Sequence, residues 1–190
     1  MNLINKNIKK MLTVVNSDDY LEDLYKICLR KVQNGSLVLM LTCRKFDISR
    51  LSPMKKMQIT KEQMKRLIVI NYMSIDEITQ KLLDLHDWSL LPALVVIDLA
   101  AVSITPSTSL LKTICLCGAT FCDYLHSIAM QMENKLKSRS LHVYGVFIVR
   151  EENQYFNQHH LEMLRNLYFY SDDMVDNIWD IERFLENDCL

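Results

Sequence analysis

The chain has 190 residues, 49% of them apolar, a net charge of −1 and a mean hydropathy near zero. That length suits one domain with a buried core, and three glycines with three prolines are too few for long disordered linkers. No run of 18 consecutive apolar residues is present, so no membrane span is expected, and the polar, basic stretch Met1–Lys10 lacks the apolar core of a secretory signal.

Met11–Val15 is a short apolar run and predicts the first strand. Asn16, Ser17, Asp18 and Asp19 follow it, turn and cap residue types whose acidity suits the positive end of a helix. Leu21, Leu24, Tyr25, Cys28 and Leu29 recur at helical spacing, and Asn34-Gly35 supplies residues tolerant of a left-handed backbone to end that helix. Ser36–Thr42 predicts a second strand, apolar on both faces as in a sheet covered by helices on each side. A basic segment from Arg44 to Arg66, broken at Ser52-Pro53, leads to a third strand at Leu67–Asn71.

Ser74 with Glu77 three residues on has the pattern of a capping box, and Ile75, Ile78, Leu82, Leu83 and Leu85 form the apolar stripe of the helix behind it. Pro92 introduces a fourth strand at Ala93–Leu99. The longest helix is predicted over Ser109–Lys137, with Ile114, Gly118, Phe121, Cys122, Leu125, Ile128, Ala129, Met132 and Leu136 on one face. Leu141–Val149 is a fifth strand, His159–Phe169 a further helix, and Asn177–Ile181 a short closing strand. Strands and helices alternate throughout. The expectation is a single α/β domain, residues 11–182, with a mostly parallel sheet flanked by helices, a flexible N-terminus at 1–10 and an acidic tail at 183–190. Ligands of such sheets bind at the carboxyl ends of the strands.

Six cysteines are scattered, with no CxxC pair, so free thiols in a reducing compartment, cytosol or nucleus, are expected. Cys122 and His126 stand one helical turn apart and are the nearest thing to a metal pair, but a core face with small thiols is the stronger reading, and no metal is expected. His159 and His160 are adjacent and diverge by about 100° on a helix, which does not suit a shared metal. Glu151 and Glu152 beside Asn153 form an acid pair near the sheet edge or, the stronger reading, a solvated loop. Trp88, Trp179, Tyr155, Phe156, Tyr168, Phe169 and Tyr170 form a core or a partner surface.

Charge is unevenly distributed. Eight Lys or Arg stand between Arg44 and Arg66 against Asp47 and Glu62, whereas ten acidic residues stand between Glu151 and Leu190 against Arg165 and Arg183. Arg44, Lys45, Lys55, Lys56, Lys61, Lys65 and Arg66 are therefore the candidate DNA-binding residues, able to bind phosphates without reading bases.

Leu94-Val95-Val96-Ile97-Asp98 has the form of a Walker B strand, four apolar residues delivering a carboxylate to the sheet edge where Mg²⁺ and phosphates would sit. Its partner motif, GxxxxGK[ST], needs glycines so that backbone N–H groups wrap the phosphates and a lysine to neutralise them. The corresponding stretch, Asn16 to Asp23, has no glycine and no lysine but four carboxylates. Asn16, Ser17, Asp18, Asp19 and Asp98 are thus a degenerate nucleotide site, and neither ATP turnover nor a cofactor is expected.

The order of these pieces resembles the RecA-like recombinase ATPase core from about Met11 to Ile181, and within that family the small SWIM-domain-associated paralogue of Shu-type complexes. The likeness lies in Leu41-Thr42-Cys43-Arg44-Lys45 at the second strand's exit, in Leu67–Asn71 followed by Ser74-Ile75-Asp76-Glu77-Ile78, and in Ala93–Ile104. It continues through Val149–Asn153 and through Leu161–Tyr168 followed by Trp179. The missing phosphate loop departs from the family. The resemblance implies a nuclear, non-catalytic recombinase paralogue, a heterodimer with a SWIM-domain zinc protein. It would promote assembly of a strand-exchange recombinase on single-stranded DNA, in homologous recombination, DNA repair and meiosis, without a membrane. Two other readings stand beside it: a small α/β nucleotide-binding enzyme using Asp98, and a purely structural scaffold subunit.

Overall fold

Apolar runs of five residues that are buried on both faces form the centre of the sheet, because only strands covered on each side tolerate such sequences. The computed structural model describes residues 7–16, 19–44, 59–101, 110–136, 142–150, 158–169, 174–175, 181 and 183–185. The strands are β1 (Ile8–Val15), β2 (Val38–Thr42), β3 (Leu67–Asn71), β4 (Leu94–Asp98), β5 (Val143–Arg150) and β6 (Met174–Val175). Among the described residues they form one sheet in the order β3-β2-β4-β5-β1-β6, with every pairing parallel. This is the mostly parallel α/β sheet with flanking helices that the sequence predicts.

The helices are α1 (Tyr20–Gln33), α2 (Lys61–Met64), α3 (Ile75–Asp84), α4 (Leu110–Leu136) and α5 (Gln158–Tyr168). Side-chain alternation sorts them into layers. Leu39, Leu41, Val95, Ile97 and Phe147 point to the face covered by α3, α4 and α5. Met11, Met40, Val96 and Val146 point to the face covered by α1. Fully burying each such side chain contributes roughly 1.5–3 kcal/mol. α4 lies close on β5 because position 145 is glycine: a Cβ there would stand 2.8 Å from Phe121 Cζ. α1 ends where expected, with Gly35 at φ 88° and its N–H bonded to Val32 O at 3.0 Å. Ser74 caps α3, its Oγ accepting from Glu77 N at 3.2 Å. Glu77 Oε2 accepts from Met73 N at 2.8 Å rather than from the cap residue itself.

Several expectations are corrected. Leu83 is exposed, because adjacent helical residues cannot both face the core beside Leu82. β1 begins at Ile8, its ladder with β5 running from Ile8↔Val143, so residues 8–10 belong to the sheet and not to a flexible arm. The closing strand is Met174–Val175 beside β1, and Ile181 lies instead in a helical turn; residues 177–180 fall outside the described ones. The packed unit also runs past residue 182. Ile181 and Leu185 are buried in the α1-side core, Phe184 meets Tyr144 edge-on at 5.8 Å, and Lys31 Nζ donates to Leu185 O at 2.8 Å.

By length and composition alone α4 could cross a membrane, but its apolar face is buried in the core and Lys112, Asp123, His126 and Glu133 are exposed on the other. Cys28, Cys43, Cys115, Cys117 and Cys122 are free. Burial pushes the thiols of Cys28 and Cys117 up to about 12 and that of Cys43 to about 11, so at neutral pH these three are packing groups and not nucleophiles.

Candidate functional site

β2 and β4 pair in register, Thr42 opposite Asp98, so both side chains leave the carboxyl edge toward α1. Tyr20 opens α1 and shares its core-facing side with Leu24 and Ile27. A tyrosine buried in that phase must find a partner for its hydroxyl, and Asp98 is the partner. Tyr20 Oη donates to Asp98 Oδ1 at 2.8 Å, Ala100 N donates to the same oxygen at 3.1 Å, and Thr42 Oγ1 donates to Oδ2 at 3.0 Å. Thr42 Oγ1 in turn accepts from Arg44 N at 3.1 Å, and the Arg44 guanidinium lies 5.7 Å from the centre of the Tyr20 ring.

Asp98 has no solvent-exposed surface. Burial raises its pKa above the ordinary 3.8, against the opposing pull of the Tyr20, Ala100 and Thr42 hydrogen bonds and of the Arg44 charge. A carboxylate offers about four acceptor positions. Three are taken by the protein, and a ring covers the approach from α1. A Mg²⁺ ion bound through oxygen ligands and waters has no open path to this carboxylate unless Tyr20 moves.

Around this core the N-terminus of α1 is acidic. Asp19 precedes the helix and makes no side-chain cap bond, while Glu22 and Asp23 pair with Lys26 at 3.2 and 2.9 Å. Asn16 is exposed at the end of β1, and its carbonyl accepts from Arg150 Nη2 at 3.4 Å. The fold therefore brings Asn16, Asp19 and Asp98 to one edge; Ser17 and Asp18 lie outside the described residues. Tyr20, the residue that decides what Asp98 can do, was passed over in the sequence. Its signal is a tyrosine in phase with Leu24 at the first helical position after an apolar strand.

The described basic candidates fall into two separate groups. Arg44 stands at the carboxyl edge beside Tyr20. Lys61, Lys65 and Arg66 stand at the amino edge, where α2 leads into β3. β3, five residues long, separates the two ends by about 17 Å. Lys45, Lys55 and Lys56 lie outside the described residues, as do Glu151, Glu152 and Asn153.

Among the other candidates, the His126 ring donates through Nδ1 to Cys122 O at 2.8 Å, and Lys10 Nζ donates to Cys122 Sγ at 3.5 Å. No group of three His, Cys, Asp or Glu side chains among the described residues is placed to hold a metal. His159 and His160 have ring centres 6.4 Å apart. Of the aromatic set, Phe169 is core and meets Phe147 at 5.7 Å, Tyr168 packs on Gly118, and Trp88 is half-buried with Lys81 Nζ 5.7 Å from its centre. Tyr155, Phe156, Tyr170 and Trp179 lie outside the described residues.

Neither a family model nor a curated protein matches the chain. Among solved structures it is similar to the crystal structure of the RadB recombinase, with a TM-score of 0.49 and 16% identity over 79% of this chain and 69% of that one. A likeness at that level says nothing about chemistry at Asp98.

Proposed function

We propose that the chain is a non-catalytic, RecA-like recombinase paralogue. It pairs with a SWIM-domain zinc protein in the nucleus and supports assembly of a strand-exchange recombinase during homologous recombination. The observation that carries the non-catalytic part is Asp98. The residue placed like a Walker B carboxylate is bonded by Tyr20, Thr42 and Ala100 and is fully buried. The loop before α1 adds to this, with no glycine or lysine from Asn16 to Asp23 and with Asp19, Glu22 and Asp23 at the helix end where a phosphate would bind. The recombinase and partner assignments rest on the sequence resemblance.

The test has two parts. Calorimetry with Mg-ATP and a coupled phosphate-release assay should show neither micromolar binding nor turnover. Co-expression with a SWIM-domain zinc protein should give a stable complex that speeds recombinase filament growth on single-stranded DNA. Micromolar ATP binding with turnover abolished by Asp98→Asn would sink the proposal and revive the enzyme reading. A stable fold with no such complex would leave the scaffold reading in front.

A further inference from the structure

The last turn of α1 and the short α2 meet at the amino edge of the sheet. Gln63 Nε2 donates to Gln33 O at 3.3 Å, and the Arg66 guanidinium bonds Gly35 O. The segment is held as a defined turn. Thr60 and Gln63 close a capping box, and Val38 N donates to Arg66 O at 2.8 Å. This junction sets the exposed Lys61, Lys65 and Arg66 against the last turn of α1, on which Arg30 is also exposed. Within α2, Glu62 pairs with Lys65 at 2.8 Å. Both ends of that pair are well exposed, so it is worth little and a phosphate can replace it. Helix polarity accounts for Arg30 in the last turn of α1. It does not account for three more cations on and beside a four-residue helix.

We infer that this amino-edge junction binds the phosphate backbone of nucleic acid through Arg30, Lys61, Lys65 and Arg66. The apolar neighbours Ile59 and Met64 pack against the α1-side core, so among the described residues of this junction the exposed side chains are charged, with no aromatic one to stack on a base. Contact is therefore with phosphates, independent of sequence. The opposite edge carries Asp19, Glu22, Asp23, Asp76 and Glu77 in the first turns of α1 and α3, offset in part by Lys26, Arg44 and Arg150, so it is the less favourable edge for a polyanion. This inference is independent of the loss of nucleotide binding at Asp98.

The experiment is fluorescence anisotropy of a labelled oligothymidylate over a salt series. Four phosphate contacts give a slope of about −2.8, so wild-type affinity should fall about 50-fold as salt rises from about 50 to 200 mM. Arg30→Gln/Lys61→Gln/Lys65→Gln/Arg66→Gln together should weaken binding at least tenfold at low salt (on the order of the per-contact losses expected) and nearly abolish the slope. Lys61→Gln/Lys65→Gln, which touches only exposed side chains, should remove about half of it and guards against misfolding of the larger variant. Wild type that fails to bind at low salt, variants that bind as tightly as wild type, or binding to phosphatidylserine vesicles but not to the oligonucleotide would each overturn the inference.

Discussion

The two edges of the sheet are ends of the same strands, yet they differ in sign and in access. At the carboxyl edge a carboxylate is drawn inside, and three protein donors take the place of solvent. At the amino edge the cations of α2 stay outside, and their partners are weak or backbone groups. Helix direction explains part of the contrast. In a parallel α/β sheet every crossover helix starts at the carboxyl edge, so acidic first turns collect there and basic last turns collect opposite. Burial explains the rest. Asp98 contributes through its fixed geometry, whereas Lys61 and Lys65 contribute through accessible charge.

The contrast predicts that changes at the carboxyl edge act on stability and changes at the amino edge act on binding. The largest effect belongs to Asp98→Ala, which strands the Tyr20 hydroxyl, the Thr42 hydroxyl and the Ala100 N–H. Urea unfolding should show a loss of about 3–5 kcal/mol, with Tyr20→Phe losing about 0.5–1.5 kcal/mol for one hydrogen bond. Equal, negligible losses for both would mean that the network is not formed.

Asp98→Asn keeps an acceptor for Tyr20 and Ala100 and should cost about 1 kcal/mol. Its pH dependence is more telling. Burial raises the folded-state pKa of Asp98, so the folded protein holds a proton that the unfolded chain has released. Stability from this group is complete below the ordinary 3.8 and is lost as pH rises through the raised value. The advantage of wild type over Asp98→Asn should therefore shrink from acid toward neutral pH in parallel unfolding curves. An advantage that grows with pH would mean that hydrogen bonds and Arg44 outweigh burial. The smallest effect is on the other edge: Lys61→Gln/Lys65→Gln should change unfolding free energy by less than about 0.5 kcal/mol. A larger loss would make those lysines structural and blur the distinction between the edges.

Much of the fold was legible because its signals are local. Leu67–Asn71 is a strand as read, Asn34-Gly35 ends α1, and Ser74 caps α3, since apolar runs, left-handed tolerance and side-chain caps act within a few residues. Leu83 was misread because composition weighed more than the 100° step from Leu82. The site was half legible. Asp98 and the loop from Asn16 to Asp23 declared themselves by type and position. The bond from Tyr20 to Asp98 spans 78 residues and depends on how α1 seats on the sheet, which no local pattern encodes. Likewise the run from Arg44 to Arg66 looked like one patch in sequence, but Arg44 and Arg66 stand at opposite ends of two parallel strands.

The pairing of β1 with β5 has a consequence during synthesis. Ile8 finds its ladder partner only when Val143 has been made, and the other neighbour of β1, Met174–Val175, comes later still. At about 5–20 residues per second the ribosome needs roughly 7–27 s to close that interval. Through it, Met11–Val15 is an apolar strand with no neighbour on either side, while β2, β3 and β4 can already assemble among themselves. Slower translation before residue 143 lengthens the time for which that strand lacks its partner.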